Sequence, residues 1–152
     1  VETVHEKIAL WLEAALDGGR DPDETFTLRA VRPKILDWTE EDFQHADVII
    51  EAGPIKTTDT TTADSRGELG EWLCSGIIRE LPEDTAADTV VSRMIETIRR
   101  LLLAANVQGT ACAGKAKKID CPEAFFETFS GGLIAQVLVK VDYRTARHDG
   151  YE

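Results

Sequence analysis

Every second residue from Leu133 to Tyr143 is apolar: Leu133, Ala135, Val137, Val139, Val141 and Tyr143. Gln136, Lys140, Asp142 and Arg144 fall between them. Successive side chains of a strand point to opposite faces, so this period of two predicts a long closing strand with one buried face. A sheet must cover that face with a second layer. The covering elements are legible upstream. Val4, Ile8, Trp11, Leu12, Ala15 and Leu16 recur at helical spacing and stop at Gly18-Gly19, which predicts a helix over about 2–17. A second stripe runs through Ala87, Val90, Val91, Met94, Ile95, Ile98, Leu101, Leu102 and Ala105. Pro82-Glu83-Asp84-Thr85 opens it, with Thr85 and Asp88 spaced as in a capping box. Its early acids and the later Arg99 and Arg100 suit the helix dipole.

Further strands read less cleanly. Phe26, Leu28 and Ala30 alternate with Thr27 and Arg29 and stop near Pro33. Trp38–His45 is an acidic connector in which Thr39-Glu40-Glu41-Asp42 can open a short helical turn. Ala46–Ala52 reads as a strand closed by Gly53-Pro54. Leu69–Leu81 reads as another, with Trp72, Cys74 and Ile78 on one side and Leu73 and Ile77 on the other. Gly70 and Gly76 within it mark bulges or close approach. Lys56–Gly67, rich in threonine, has no apolar face and reads as a long exposed loop or protruding hairpin tip. Lys115–Cys121 suggests a short strand, and Pro122–Phe129 an aromatic turn or short helix. The sum is one α+β domain over 1–152: a mostly antiparallel sheet of four to five strands, two amphipathic helices on one face, and a long loop or hairpin at 55–68.

Charge narrows the function. Between Asp37 and Asp88 lie 14 acids and 3 bases, so that segment carries the entire formal charge of −11. Binding of duplex DNA needs a positive surface to neutralise phosphates. The one basic cluster is Lys115, Lys117 and Lys118. A solvated acidic face keeps a chain soluble; it also repels a polyanion, which suits the wall of a pore that conducts DNA. The basic cluster suits a hairpin facing an acidic neighbour. No apolar run approaches the ~20 residues of a membrane helix, and the first 20 residues carry acids and no basic start, unlike an export signal.

Chemical signatures are missing. His5, His45 and His148 have no Cys or His partner at metal-ligand spacing. Asp59 and Asp64 flank threonines without the pattern of a calcium loop. Ser75-Gly76 lacks the hydrolase elbow, and no Gly-rich turn leads a strand into a helix. No cofactor or enzymatic role is expected. Three cysteines argue against a disulfide framework. Cys74 reads as a small buried residue, and Cys112 and Cys121, flanking Gly114-Lys115, as reduced thiols with a bridge as the alternative.

The layout resembles the tail-terminator family of long-tailed bacteriophages and, more loosely, head–tail neck and minor tail proteins. The likeness spans roughly 2–146. It is carried by the first amphipathic helix, a strand ending near Pro33, and Ala46-Asp47-Val48-Ile49-Ile50-Glu51. An extended Leu73–Leu81 then leads to a helix beginning Ala86-Ala87-Asp88, and the chain closes on Val141-Asp142-Tyr143-Arg144-Thr145. The Thr-rich 55–68 segment and the cysteine-containing 107–122 region depart from the pattern.

The resemblance implies a structural virion protein, assembled in the host cytoplasm. It would form a hexameric ring that caps the tail tube and joins it to the head connector, with DNA passing the lumen without specific binding. Sheet edges are the joints such a ring needs; the expected ones are Leu133–Tyr143 and Leu69–Leu81. Lys56, Thr58, Asp59, Thr61, Asp64, Arg66, Lys115, Lys117 and Lys118 are the expected subunit or tube contacts. Glu40, Glu41, Asp42, Glu68 and Glu71 are the expected lumen acids. Two alternatives stand beside this: a neck or head-completion protein of the same virion, and a small cytosolic binding module with a pocket at Trp11, Trp72 or Phe125–Phe129.

Overall fold

The computed structural model describes residues 1–59, 61–105 and 116–151. In chain order these form α1 (Val4–Leu16), β1 (Arg29–Val31), a short 3-10 turn (Glu40–Asp42), β2 (Asp47–Thr57) and β3 (Ser65–Ile78), followed by α2 (Ala87–Ala105), β4 (Ala116–Phe129) and β5 (Gly132–Ala146). The five strands make one sheet in the order β1-β2-β3-β5-β4. Only β1 and β2 pair in parallel; the other neighbours are antiparallel. Both helices pack on one face, giving the expected α+β architecture. No helix among the described residues is long and apolar enough to cross a membrane.

α1 begins where its capping chemistry allows. The Glu6 amide donates to Thr3 Oγ1 at 3.0 Å, and the Thr3 amide to Glu6 Oε2 at 2.7 Å. These bonds satisfy donors that the first helical turn leaves open. The helix ends at Leu16, and Gly18 just beyond its Asp17 cap takes φ +78°, a conformation costly for residues with a Cβ. Val4, Ile8, Leu12 and Leu16 are fully buried, so the stripe faces the sheet. Thr3→Ala is expected to cost about 1 kcal/mol of stability, read as a lower urea midpoint with an unchanged slope.

α2 buries Val90, Val91, Met94, Ile98 and Leu102, while Ala87 at its start is exposed. Its arginines do not serve the helix end, because the last turn carries no base. Arg99 instead pairs with Glu96 at 3.0 Å, and Arg100 donates to the Arg20 carbonyl at 2.7 Å.

β3 and β5 pair continuously from Ser65↔Ala146 to Ile78↔Leu133 and occupy the sheet centre. This overturns the expectation that they form the subunit joints. Both are apolar on their helix-facing side, and Ile77 and Ile134 are buried on the other. A strand that needs cover on two faces and both edges belongs in the middle. Three shorter readings also change. β2 does not stop at Gly53-Pro54 but passes through with a register shift between Ala52 and Ile55, the irregularity an edge proline permits. The 122–129 segment is neither turn nor helix but the second half of β4, with Pro122 inside another register shift. Only Arg29–Val31 of the first predicted strand pairs with β2, and Thr27 instead bridges Arg20. The 56–67 segment is a hairpin tip, as one of its two readings had it.

The face without helices holds a second apolar cluster. Ile49, Ile77 and Ile134 lie under Trp38 and Phe43 of the acidic connector, beside Phe129. Trp38 and Phe43 meet edge to face at 5.3 Å. Arg79 fastens this lid: its guanidinium lies 5.1 Å from the Phe129 ring and donates to the carbonyls of Phe43 and Glu40.

A candidate assembly surface

The lid covers only one end of the open face. Cross-strand rows define the rest: Glu51–Leu73–Leu138–Glu123, then Glu71–Lys140–Asp120, then Lys56–Leu69–Asp142–Lys118. Leu73, Leu138 and Leu69 are half-buried among alternating charges. Lys140 Nζ lies 3.7 Å from Glu71 Oε1. The face is therefore mixed in sign, with opposite charges set across neighbouring strands.

The expected lumen acids do not form one wall. Glu40, Glu41 and Asp42 sit in the connector at the lid end. Glu71 lies mid-face against Lys140. Glu68 is no lumen acid: only 7% exposed, it turns to the helix side, where Arg66 Nε stands 2.5 Å from its Oε1. A period of two separates Glu68 from Glu71 onto opposite faces, which charge counting along the chain cannot register.

The expected contact residues, by contrast, collect at the opposite end of the sheet. Thr58 and Thr61 build the hairpin tip. The Thr58 carbonyl accepts from the Thr61 amide at 3.2 Å and hydroxyl at 2.9 Å, and Thr61 Oγ1 accepts the Gly67 amide at 3.2 Å. The end of β5 pins the tip: Arg144 donates to Ser65 Oγ at 2.6 Å and Arg147 to the Thr62 carbonyl at 2.8 Å. Thr61 and Arg66 thus have structural work, while Lys56, Asp59 and Asp64 are exposed. Lys117 and Lys118 are exposed at the start of β4 at this same end. Lys115 and Cys112, and with Cys112 the alternative of a bridge to Cys121, lie outside the described residues. Cys74 and Cys121 are free buried thiols; burial pushes Cys121 up to about 11 and Cys74 further, so neither is a ready nucleophile.

Among the described residues the sheet edges are β4 on one side and, on the other, the short β1 and the far half of β2. β1 covers β2 only from Asp47 to Ile49, and the residues from Ala52 to Thr57 are all exposed. Exposed apolar residues mark both edges. Ile55 (50%), Ile35 (57%) and Leu36 (92%) lie along the β1–β2 side, and Phe125 (43%) and Phe126 (56%) along β4. The charges differ as well. Arg32, Lys34 and Lys56 are exposed on the first side, and Asp120, Glu123 and Glu127 on the second. Sequence reasoning gave these phenylalanines to an aromatic turn or short helix, or to a pocket, and missed the edge itself, because that reading broke β4 in two.

Hollows open at three places on the surface. One of about 420 Å³, between the 21–23 loop and α2, is lined by Asp21, Arg93, Thr97 and Arg100. Its polar groups are engaged: Asp21 accepts from the Thr25 hydroxyl at 2.6 Å and the Phe26 amide at 3.2 Å, and Arg93 faces Asp23 at 3.5 Å. One of about 600 Å³ holds His45 and Arg79, both committed to backbone groups. The third, about 300 Å³, opens beside the free edge of β2 and is lined by His5, Arg32, Leu36, Ile50, Ala52 and Trp72. His5 stacks on Trp72 at 4.5 Å, and His5 Nε2 and Trp72 Nε1 are buried there with no hydrogen-bond partner among the described residues. Among the described residues no group of three His, Cys, Asp or Glu side chains is placed to hold a metal ion.

Two histidines make the fold acid-sensitive. His45 Nδ1 accepts the Arg79 amide at 3.0 Å and the Glu80 amide at 3.2 Å, which requires the neutral ring. Burial lowers its pKa; burial, helped by Arg32, lowers that of His5. As pH falls through about 6.5 the unfolded chain takes up these protons first. The histidine contribution is therefore complete above that pH and lost as acid approaches the lower folded pKa values. Urea midpoints are expected to drop between pH 8 and pH 5, and His45→Gln, which keeps an acceptor, to flatten that drop.

No family model matches the chain, and no curated protein matches it either.

Proposed function

We propose that this chain is a structural building block that closes head to tail into a ring, with the tail terminator of a long-tailed phage virion as the role that fits best. In that role the ring caps the tail tube and meets the head connector, and DNA passes its lumen without specific binding. The observation that carries the reading is the pair of unlike sheet edges left unpaired among the described residues. Both carry exposed apolar residues; Arg32, Lys34 and Lys56 stand along one, Asp120, Glu123 and Glu127 follow Lys117 and Lys118 along the other, and β4 runs antiparallel to β2. Rotation about an axis to which the strands are tilted, as in a barrel, brings the β4 edge of one copy to the β2 edge of the next as a staggered antiparallel addition. Such a heterologous contact closes when the rotation divides the circle. Edge pairing supplies backbone hydrogen bonds, and the side chains set the register.

The basic-to-acidic match also lets subunits of charge −11 approach each other. The scattered lumen acids weaken the picture of a uniformly negative wall, and a face of alternating charges takes its place. A neck protein would use the same edges. The binding-module alternative would use the His5–Trp72 cleft, with Trp72 as its pocket residue.

Native mass spectrometry of the purified chain across concentration, with and without tail tubes, tests the proposal. Closed rings of one stoichiometry are expected. A strict monomer that never joins a tube end would overturn it.

A further inference from the structure

The His5–Trp72 cleft opens beside the free half of the β2 edge, where a neighbouring copy would arrive. We infer that the cleft is the socket for Phe126 of the next copy in the ring. This rests on the head-to-tail reading and names the residue that seats the joint.

Register and facing carry the inference. Phe126 shares a cross-strand row with Ala135, Gly76 and Val48, on the helix side of the sheet. Ala52 pairs with Trp72, which lies in the helix-side core. In a sheet continued from copy to copy, Phe126 of the neighbour therefore stays on the side where the cleft opens. β1 occupies the edge of β2 through Ile49, so an incoming strand can join only beyond it. That obstruction moves the neighbour's β4 along β2 by about four residues, or ~13 Å. The shift carries Phe126 from the level of Val48 to the level of Ala52, at the mouth of the cleft. A hollow of about 300 Å³ walled by Ile50, Leu36 and the Trp72 indole suits a phenyl ring.

Charges agree with the same offset. Lys117 and Lys118 of the neighbour move from the level of Lys56 to that of the tip, where Asp59 and Asp64 are exposed. Glu123 moves from the level of Glu51 toward Lys56.

The test pairs Phe126→Ala with a cross-linking experiment in a Cys112→Ser background. Phe126→Ala is expected to raise the concentration for half-assembly about 30-fold, with an unchanged thermal midpoint of the monomer because the side chain is exposed. Leu103→Ala, at an exposed apolar site on α2, is expected to change assembly little. Mixing an Ala52→Cys chain with a Phe126→Cys chain should give a disulfide-linked dimer that neither forms alone. If rings form but Phe126→Ala assembles normally and the mixed chains do not cross-link, the socket is wrong and the ring stands. If the parent chain stays monomeric at every concentration, the ring reading falls and takes the socket with it.

Discussion

Gly132→Ala is expected to lower the unfolding free energy by about 4 kcal/mol, near the upper end for a single substitution. A Cβ at this position would be driven into the backbone carbonyl of Ile78 and would sit 2.8 Å from Phe129 Cζ. The obstacle is a backbone atom of the central β3–β5 ladder, where Ile78 pairs with Leu133. Relief requires the central pair to separate or the β4–β5 turn to shift, and both disturb buried packing. Gly18→Ala is the control. It forces a side chain into φ +78° but meets open space, so about 1 kcal/mol is expected from conformation alone. Urea unfolding of both variants separates the effects. Equal midpoints would show that the turn yields and that close approach is not what the glycine serves.

Trp72→Ala carries the second large effect, about 4 kcal/mol. The indole is 1% exposed, stacks with His5 and lies close enough to Gly70 that a Cβ there would approach its ring at 2.7 Å. Removing it opens a void between α1 and the sheet and lets water reach His5. The His5 pKa, lowered first by burial, should then return toward 6.5, which NMR titration of the imidazole can follow. Trp11, half-buried on α1, is expected to tolerate alanine at less than half that cost. If Trp72→Ala left both the midpoint and the His5 titration unchanged, the cleft would not be a rigid part of the fold.

Much of this architecture was legible residue by residue. The α1 stripe, the α2 stripe and the alternation of Leu133–Tyr143 each state a period and a buried face, and the structure buries those faces. The two sides of β3, with Trp72, Cys74 and Ile78 opposed to Ile77, were legible for the same reason. Close approach at Gly70 and Gly76 was too: a Cβ would meet Trp72 at 2.7 Å and Met94 at 2.9 Å. Legibility failed where the signal was punctuation. Gly53-Pro54 and Pro122 look like stops, but an edge strand can absorb a proline in a bulge, and whether a strand is an edge is not a local property.

The candidate surface divides along the same line. The residue types of an assembly surface were visible: a Thr-rich tip and a lysine cluster. Their grouping was not. Two of the expected contact residues, Thr61 and Arg66, hold the tip and the ion pair with Glu68, and the acids counted together along the chain scatter over both faces. The acidic connector looked like a solvated link, yet Trp38 and Phe43 make it the lid of a second apolar cluster.

Periodicity and propensity are local, so the sequence by itself determined which segments are helix or strand and which side of each avoids water. Strand order, the centre and edges of the sheet, and the cleft beside β2 arise from contacts between segments far apart in the chain. Only the tertiary structure decided them, because a strand's neighbours are chosen by total burial and pairing rather than by anything written within the strand.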